Sequence, residues 1–218
     1  MLKYFTVNTT SEFICFIIAL LCLIKDKNLI WRSMIIYLFI TCLTEFSGKY
    51  IWLHHENNNW VYNIFLLCES GFTSLMFINL FSKYTDSRPM VLNGLALFLV
   101  CYASETAHQG FFNYNSLTFG FQSVQFVLYG LYFYYLLLKD DAVIRFKYSP
   151  DFWWVCGVLF FYFGNTACNL FYHQLDSIRI YGNEQLINFI FKVLNVILYG
   201  CWGYSFLCRR WSTKKSKA

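Results

Sequence analysis

The chain is a succession of apolar runs, each about as long as a membrane-crossing helix, joined by connectors too short to fold alone. A hydrocarbon core of roughly 30 Å takes about 20 mostly apolar helical residues. Seven segments meet that requirement: Ser11–Ile24 with help from the residues before it, Ser33–Leu53, Trp60–Phe81, Pro89–Thr106, Leu117–Leu138, Pro150–Tyr172 and Gln185–Cys208. Within lipid each backbone N–H and C=O must be satisfied inside the segment, which makes the helix the natural form for such runs. Composition agrees, because 13% of the residues are charged where a soluble domain carries about a quarter. Low charge with 22% aromatics excludes disorder, and the long apolar runs exclude a disulfide-stapled secreted domain. The expected fold is all-α and polytopic. A seven-transmembrane-helix bundle fills residues 1–208, and a basic cytoplasmic tail follows at 209–218.

Direction follows from the cations. Of 17 Lys and Arg residues, 13 fall in the first, third and fifth connectors and the tail, among them Lys25, Lys83, Lys147 and Arg209. Lys3 and Arg179 belong to the other side, and Lys49 and Lys192 fall within spans. This split predicts an external N-terminus and a cytoplasmic C-terminus in a cell (inner) membrane, with the lipid bilayer as first partner. Pro89 and Pro150, the only prolines, are placed to open helices, where a missing N–H costs nothing. Trp153 and Trp154 suit the inner interface and Trp52 and Trp60 the outer one. The tail, Arg209 to Lys217, reads as an anchor on anionic lipid rather than a nucleic-acid binder. The first span reads as retained, not as a signal peptide.

Ionisable groups at membrane depth are costly, and they mark a functional site or a structural pair. The spans hold Glu45, Lys49, Glu69, Glu105 and Lys192, with Gln122, Gln125, Asn165, Asn169, Asn188 and Asn195 as uncharged company. At about 1.5 Å per residue, Glu45, Glu69, Asn165 and Lys192 all come out roughly 10–13 Å below the outer end. Glu45 and Lys49 share a face at i, i+4, as do Asn165 and Asn169, and Gln122 and Gln125 pair at i, i+3. Asn188, Lys192 and Asn195 form one stripe, and stripes of this kind must face protein or water. For any single amide, gluing helices together is the simpler reading. For the whole layer, a ligand or ion cavity in the outer half is expected. His54, His55, His108 and His173 gather on the outer rim, where they are weak metal candidates without His-x-x-x-His spacing. No cofactor motif is present, and the nine cysteines read as small apolar side chains.

Three families bear comparison. A lysine on the last helix and Glu69 on the third raise a retinal-binding protein. However, Phe160-Phe161-Tyr162-Phe163-Gly164-Asn165 lacks the aromatic-Tyr-Pro pattern of microbial rhodopsins. Ceramidase and adiponectin-receptor type hydrolases carry a His-x-x-x-His on the last helix, which Gln185–Cys208 does not contain. The stretch Asn58-Asn59-Trp60-Val61-Tyr62-Asn63-Ile64-Phe65 running to Glu69, with Gly164-Asn165 and the Asn/Lys stripe, resembles small seven-helix bacterial membrane proteins. Those occur alone or as input modules of sensor histidine kinases, and the resemblance covers most of the chain. It implies an outward-facing sensory pocket whose signal passes to a separate cytoplasmic or membrane partner.

The leading expectation is therefore a receptor or sensor that binds a small ligand, ion or lipid in the outer polar cavity. A pore or permeability effector, such as an accessory protein of a bacterial defence system, is the alternative, and it would need a homo-oligomer. An intramembrane enzyme using Glu69 or Glu45 as general base has no nucleophile–base pair or metal motif to support it.

Overall fold

A computed structural model describes residues 6–54, 56–140, 146–180 and 185–215. The elements are helical: α1 Val7–Leu23, α2 Leu29–Leu53, α3 Asn59–Phe81, α4 Arg88–Gln109, α5 Ser116–Lys139, α6 Pro150–Leu170, the short α7 Tyr172–Ser177, and α8 Leu186–Lys215. No strand is present among the described residues beyond one isolated bridge, Arg179 with Gln185. Five helices (α2, α3, α4, α5 and most of α8) are long and apolar enough to cross a membrane. The 17-residue α1 is a shorter apolar helix. At 21 residues α6 is long enough, but its tryptophans, tyrosine and asparagines make it less apolar. Large side chains such as Leu97, Val100, Leu128, Leu138, Phe163 and Leu170 stand exposed on the outside. So wide an apolar exterior suits lipid, not water. The chain has the character of a multi-pass membrane protein.

Local chemistry sets the helix ends. Thr6 and Thr9 form a reciprocal capping box that starts α1 four residues before the expected span. The Asn28 side chain accepts from the N–H groups of Ile30 and Trp31 and so opens α2. Pro89 and Pro150 do sit in the first turns of α4 and α6, and Ser149 caps α6 by accepting from Phe152. After α6 the chain breaks at Phe171, so the stretch expected as one helix to Tyr172 is divided between α6 and α7. The last helix does not stop at Cys208 but runs on through the basic segment to Lys215.

Neighbouring helices define a ring. α8 packs on α6 and α1, α1 on α2, α2 on α3, α3 on α5 and α5 on α6, while α4 leans from outside on α3 and α5. Lipid offers no hydrophobic drive for helices to associate, so close contact of small residues and polar ties must do it. A Cβ placed on Gly157 of α6 would lie 3.0 Å from the Cys201 Cβ and 3.1 Å from the Leu198 carbonyl oxygen of α8. The bare glycine lets those backbones approach. Half of the ring's interior is filled by aromatic side chains. Trp154 stacks on Trp202 at 5.8 Å, Phe77 meets Trp154 edge-on at 5.5 Å, and Phe126 meets Tyr162 at 4.9 Å.

Ion pairs hold the end of the bundle that carries the basic connectors. Arg209 near the end of α8 makes two bonds to Asp26 in the α1–α2 connector, Nε to Oδ2 at 2.8 Å and a terminal nitrogen to Oδ1 at 3.2 Å. Its guanidinium also lies 5.2 Å from the Trp31 ring centroid. Lys83, after α3, pairs with Asp151 in the first turn of α6. Arg209, the first residue of the segment expected to anchor on anionic lipid, is thus turned inward to protein. Asp26 is buried, which alone would raise its pKa. The hydrogen bonds from Arg209 and the Asn28 N–H, with the Arg209 charge, outweigh that and hold it below the usual carboxylate range.

Replacing Arg209 by Met leaves a buried carboxylate unpaired, with an expected loss of about 3 kcal/mol. Thermal unfolding in detergent at pH 7 measures that gap. Since the Asp26 pKa is depressed in the folded state, its stabilisation is complete above the unfolded value of about 3.9. It is lost as pH falls through the lower folded value, so the wild-type advantage shrinks on acidification. Equal Tm values at pH 7 contradict the pairing.

Candidate functional site

The half of the ring opposite the Asp26–Arg209 end is not filled. It holds a partly open cavity of ≈ 180 Å³ to which α1, α2, α3, α5, α6, α8 and the α4–α5 connector all contribute. Three carboxylates line it: Glu12 from α1, Glu45 from α2 and Glu69 from α3. Four tyrosines join them, Tyr37, Tyr62, Tyr114 and Tyr199, together with Thr41 and Asn195. The remaining wall is apolar, with Phe65, Phe119, Phe161, Leu66 and Leu198. Among the described residues no lysine or arginine lines it.

Each acid has its own surroundings. Glu69 accepts from the Gln122 amide at 3.3 Å, and the Tyr162 hydroxyl lies near it. Glu45 lies within reach of the Lys49 charge one turn further along α2. Glu12 is 3% exposed and lies beside the Tyr199 hydroxyl, while its Oε2 has no partner. Glu12 and Glu45 are near enough for their charges to act on each other, and Tyr37 lies close to both Glu12 and Glu69. A buried carboxylate oxygen without a donor is expensive in a low-dielectric interior.

Specific side chains shape the walls. Tyr62 fits because position 48 is glycine: a Cβ there would sit 2.7 Å from the Tyr62 hydroxyl oxygen. Tyr114 comes from the connector 110–115, which Asn63 of α3 fastens down. The Asn63 amide donates to the carbonyls of Phe111 at 2.8 Å and Asn113 at 2.7 Å, and its oxygen accepts from the Asn115 N–H at 3.1 Å. Asn57 adds a bond to the Phe112 carbonyl at 2.7 Å. Gly110, with φ 84°, supplies the left-handed residue that ends α4 and turns the chain into this connector.

Of the expected polar layer, then, the structure brings Glu45, Glu69 and Asn195 to one cavity, with Gln122 directly behind Glu69. The others lie elsewhere. Glu105 is on α4, outside the ring, and accepts from the N–H groups of Leu117 and Thr118, the Thr118 hydroxyl at 2.6 Å and the Gln109 amide. Its carboxyl oxygens cap the N-terminus of α5. Gln125 bonds the Tyr129 hydroxyl at 2.8 Å, and both pack against Gly94 of α4. Asn165 is buried and donates to Ser123 at 2.8 Å, tying α6 to α5. Asn169 and Asn188 are exposed, and Asn188 bonds Gln185. Lys49 and Lys192 are half-buried and do not line the cavity.

The histidines do not converge. His54 bonds the Tyr50 carbonyl at 2.8 Å and lies on the Tyr50 ring, and His108 is near the end of α4. His55 and the side chain of His173 lie outside the described residues. Among the described residues no three His, Cys, Asp or Glu side chains are placed to hold a metal ion. Sequence reasoning passed over Glu12, which seemed to sit at the very end of its span, and the four tyrosines. The Thr6-x-x-Thr9 capping pattern would have moved the start of α1 outward and put Glu12 inside. Comparison with protein-family models, curated proteins and solved structures finds no match.

Asn63→Ala removes the three ties that Asn63 makes to the 110–115 connector and leaves the one from Asn57. The expected cost is about 2–3 kcal/mol, read as a lower Tm, together with faster amide hydrogen exchange confined to that connector. Unchanged exchange there would mean that Tyr114 is held by other means.

Proposed function

We propose that this chain is a seven-span receptor-like membrane protein, with its N-terminus outside and C-terminus in the cytoplasm, that binds a small ligand in the acid-lined cavity. One observation carries the reading: the three carboxylates meet around a cavity instead of pairing off inside the bundle. Acids used only as structural glue would be buried against donors, as Glu105 is on the N-terminus of α5. Glu12 instead keeps an unpartnered oxygen in a nearly inaccessible position.

The basic connectors support the orientation, since Lys25, Lys27 and Lys83 belong to the end fastened by Asp26–Arg209 and Lys83–Asp151. In this orientation the cavity lies in the outer half. The Trp154–Trp202 stack and its neighbours occupy the other half and favour a receptor over a pore. A ligand shifts such a bundle only if it binds two of its states differently. The ring supplies a route, because α1 and α8 both line the cavity and are joined at the far end by Arg210, whose guanidinium donates to the Leu21 carbonyl at 3.2 Å. A signal carried this way passes to a separate partner at the cytoplasmic face.

Native mass spectrometry of protein released from mild detergent tests the reading. The expected result is a 26.0 kDa monomer or dimer carrying a discrete additional mass. A ring of many subunits free of bound mass would favour a pore instead.

A further inference from the structure

The cavity's chemistry defines a ligand class, an inference that rests on the cavity reading above. Three acids share a space with no lysine or arginine in its described lining. Lys49 acts on Glu45 from outside the cavity. The groups beside Glu12 and Glu69 are neutral: the Tyr199 hydroxyl near Glu12, and the Tyr162 hydroxyl and the bonded Gln122 amide at Glu69. Such a lining favours a positive charge, and the nearly inaccessible Glu12 leaves one oxygen open to an N–H or O–H donor. The rest of the wall, Phe65, Phe119, Phe161, Leu66 and Leu198, offers apolar and aromatic surface.

These features separate three kinds of cation. A bare metal ion of the hard type takes 6–8 oxygen ligands, and a half-apolar wall is a poor match for that. A quaternary ammonium would enjoy the aromatic faces but has no N–H to give Glu12. A protonated primary or secondary amine satisfies both halves of the cavity. Size narrows the class further. At ≈ 180 Å³ the space is smaller than the roughly 300–1,000 Å³ of drug-sized ligand sites, so the ligand is a short one.

We propose that the cavity binds a small primary or secondary alkylammonium, its N–H groups directed to Glu12 and Glu69 and its alkyl chain against the Phe65, Phe119 and Phe161 wall. Aromatic contact adds to the carboxylate attraction, because tyrosine and phenylalanine faces attract a desolvated cation. Glu45, already under the Lys49 charge, is the least important of the three acids for the ligand.

The test uses the full chain in mild detergent with four matched probes: n-butylammonium, 1-butanol, butanoate and tetramethylammonium, with sodium and potassium chloride as salt controls. At saturating concentration n-butylammonium is expected to raise Tm by about 5 °C, with 1-butanol, butanoate and the salts giving no rise and tetramethylammonium a smaller one. Glu12→Gln and Glu69→Gln, each close in shape to the native side chain, should weaken n-butylammonium at least tenfold by isothermal titration. Glu45→Gln should weaken it less. Equal stabilisation by 1-butanol or butanoate overturns the charge assignment but leaves a ligand cavity standing. Stabilisation by sodium or potassium alone transfers the site to an inorganic ion and overturns the amine. If no probe binds and native mass spectrometry shows the protein without bound mass, both the amine and the cavity reading fall. A Glu12→Gln protein that folds and binds n-butylammonium at full affinity removes Glu12 from the site and contradicts the proposal.

Discussion

Within an apolar surround, a polar side chain has to find its partners inside the protein, and this requirement orders the whole bundle. Leucine and phenylalanine are nearly indifferent to whether they face lipid or a neighbouring helix. Carboxylates and amides are not. Glu12, Glu45 and Glu69 therefore fix the inward faces of α1, α2 and α3, and Gln122 and Asn165 do the same for α5 and α6 through Glu69 and Ser123. Once those faces are set, the ring of six helices follows, with α4 left outside it. On α4 the Glu105 carboxylate is spent on the start of α5, and the Tyr102 hydroxyl reaches the Asn63 carbonyl of α3.

The two ends of the ring are held by different chemistry. Charge pairs fasten one, through Asp26–Arg209 and Lys83–Asp151. Neutral amide bonds from Asn57 and Asn63 fasten the other, where the 110–115 connector brings Tyr114 to the cavity wall. Between them, stacked tryptophans and phenylalanines fill one half of the interior, leaving the acids in the other. A cation entering the cavity would meet α1 and α8 at once, and those helices are also the ones joined at the ion-paired end. This continuity is the physical basis for linking occupancy to the tail.

Much of the helical architecture was legible in the sequence, because run length and the positions of Pro89 and Pro150 reflect strong local constraints. A side chain's distance from its own helix end was countable too, since that needs only the helix rise. Azimuth was not. Glu105 caps α5 and Gln125 faces α4, because a count along one helix says nothing of the order in which helices pack. Asn169 and Asn188 sit near helix ends, where exposure is cheap. The tyrosines were hidden for a different reason: in a chain this rich in aromatics, a tyrosine reads as core or interface until its hydroxyl is placed beside an acid. At Arg209 a run of like charge suggested lipid contact, whereas a single buried aspartate 183 residues away redirected it.

The central claim is that the acid-lined cavity is reached from the side opposite the basic connectors. It is tested most directly by a cysteine at Thr41, on the cavity wall, in a background lacking the reactive native cysteines. A membrane-impermeant thiol reagent is applied to either side of sealed, right-side-out vesicles. The account predicts labelling from the external side alone, slowed when n-butylammonium is present. Labelling only from the cytoplasmic side, or equal labelling from both, would contradict it.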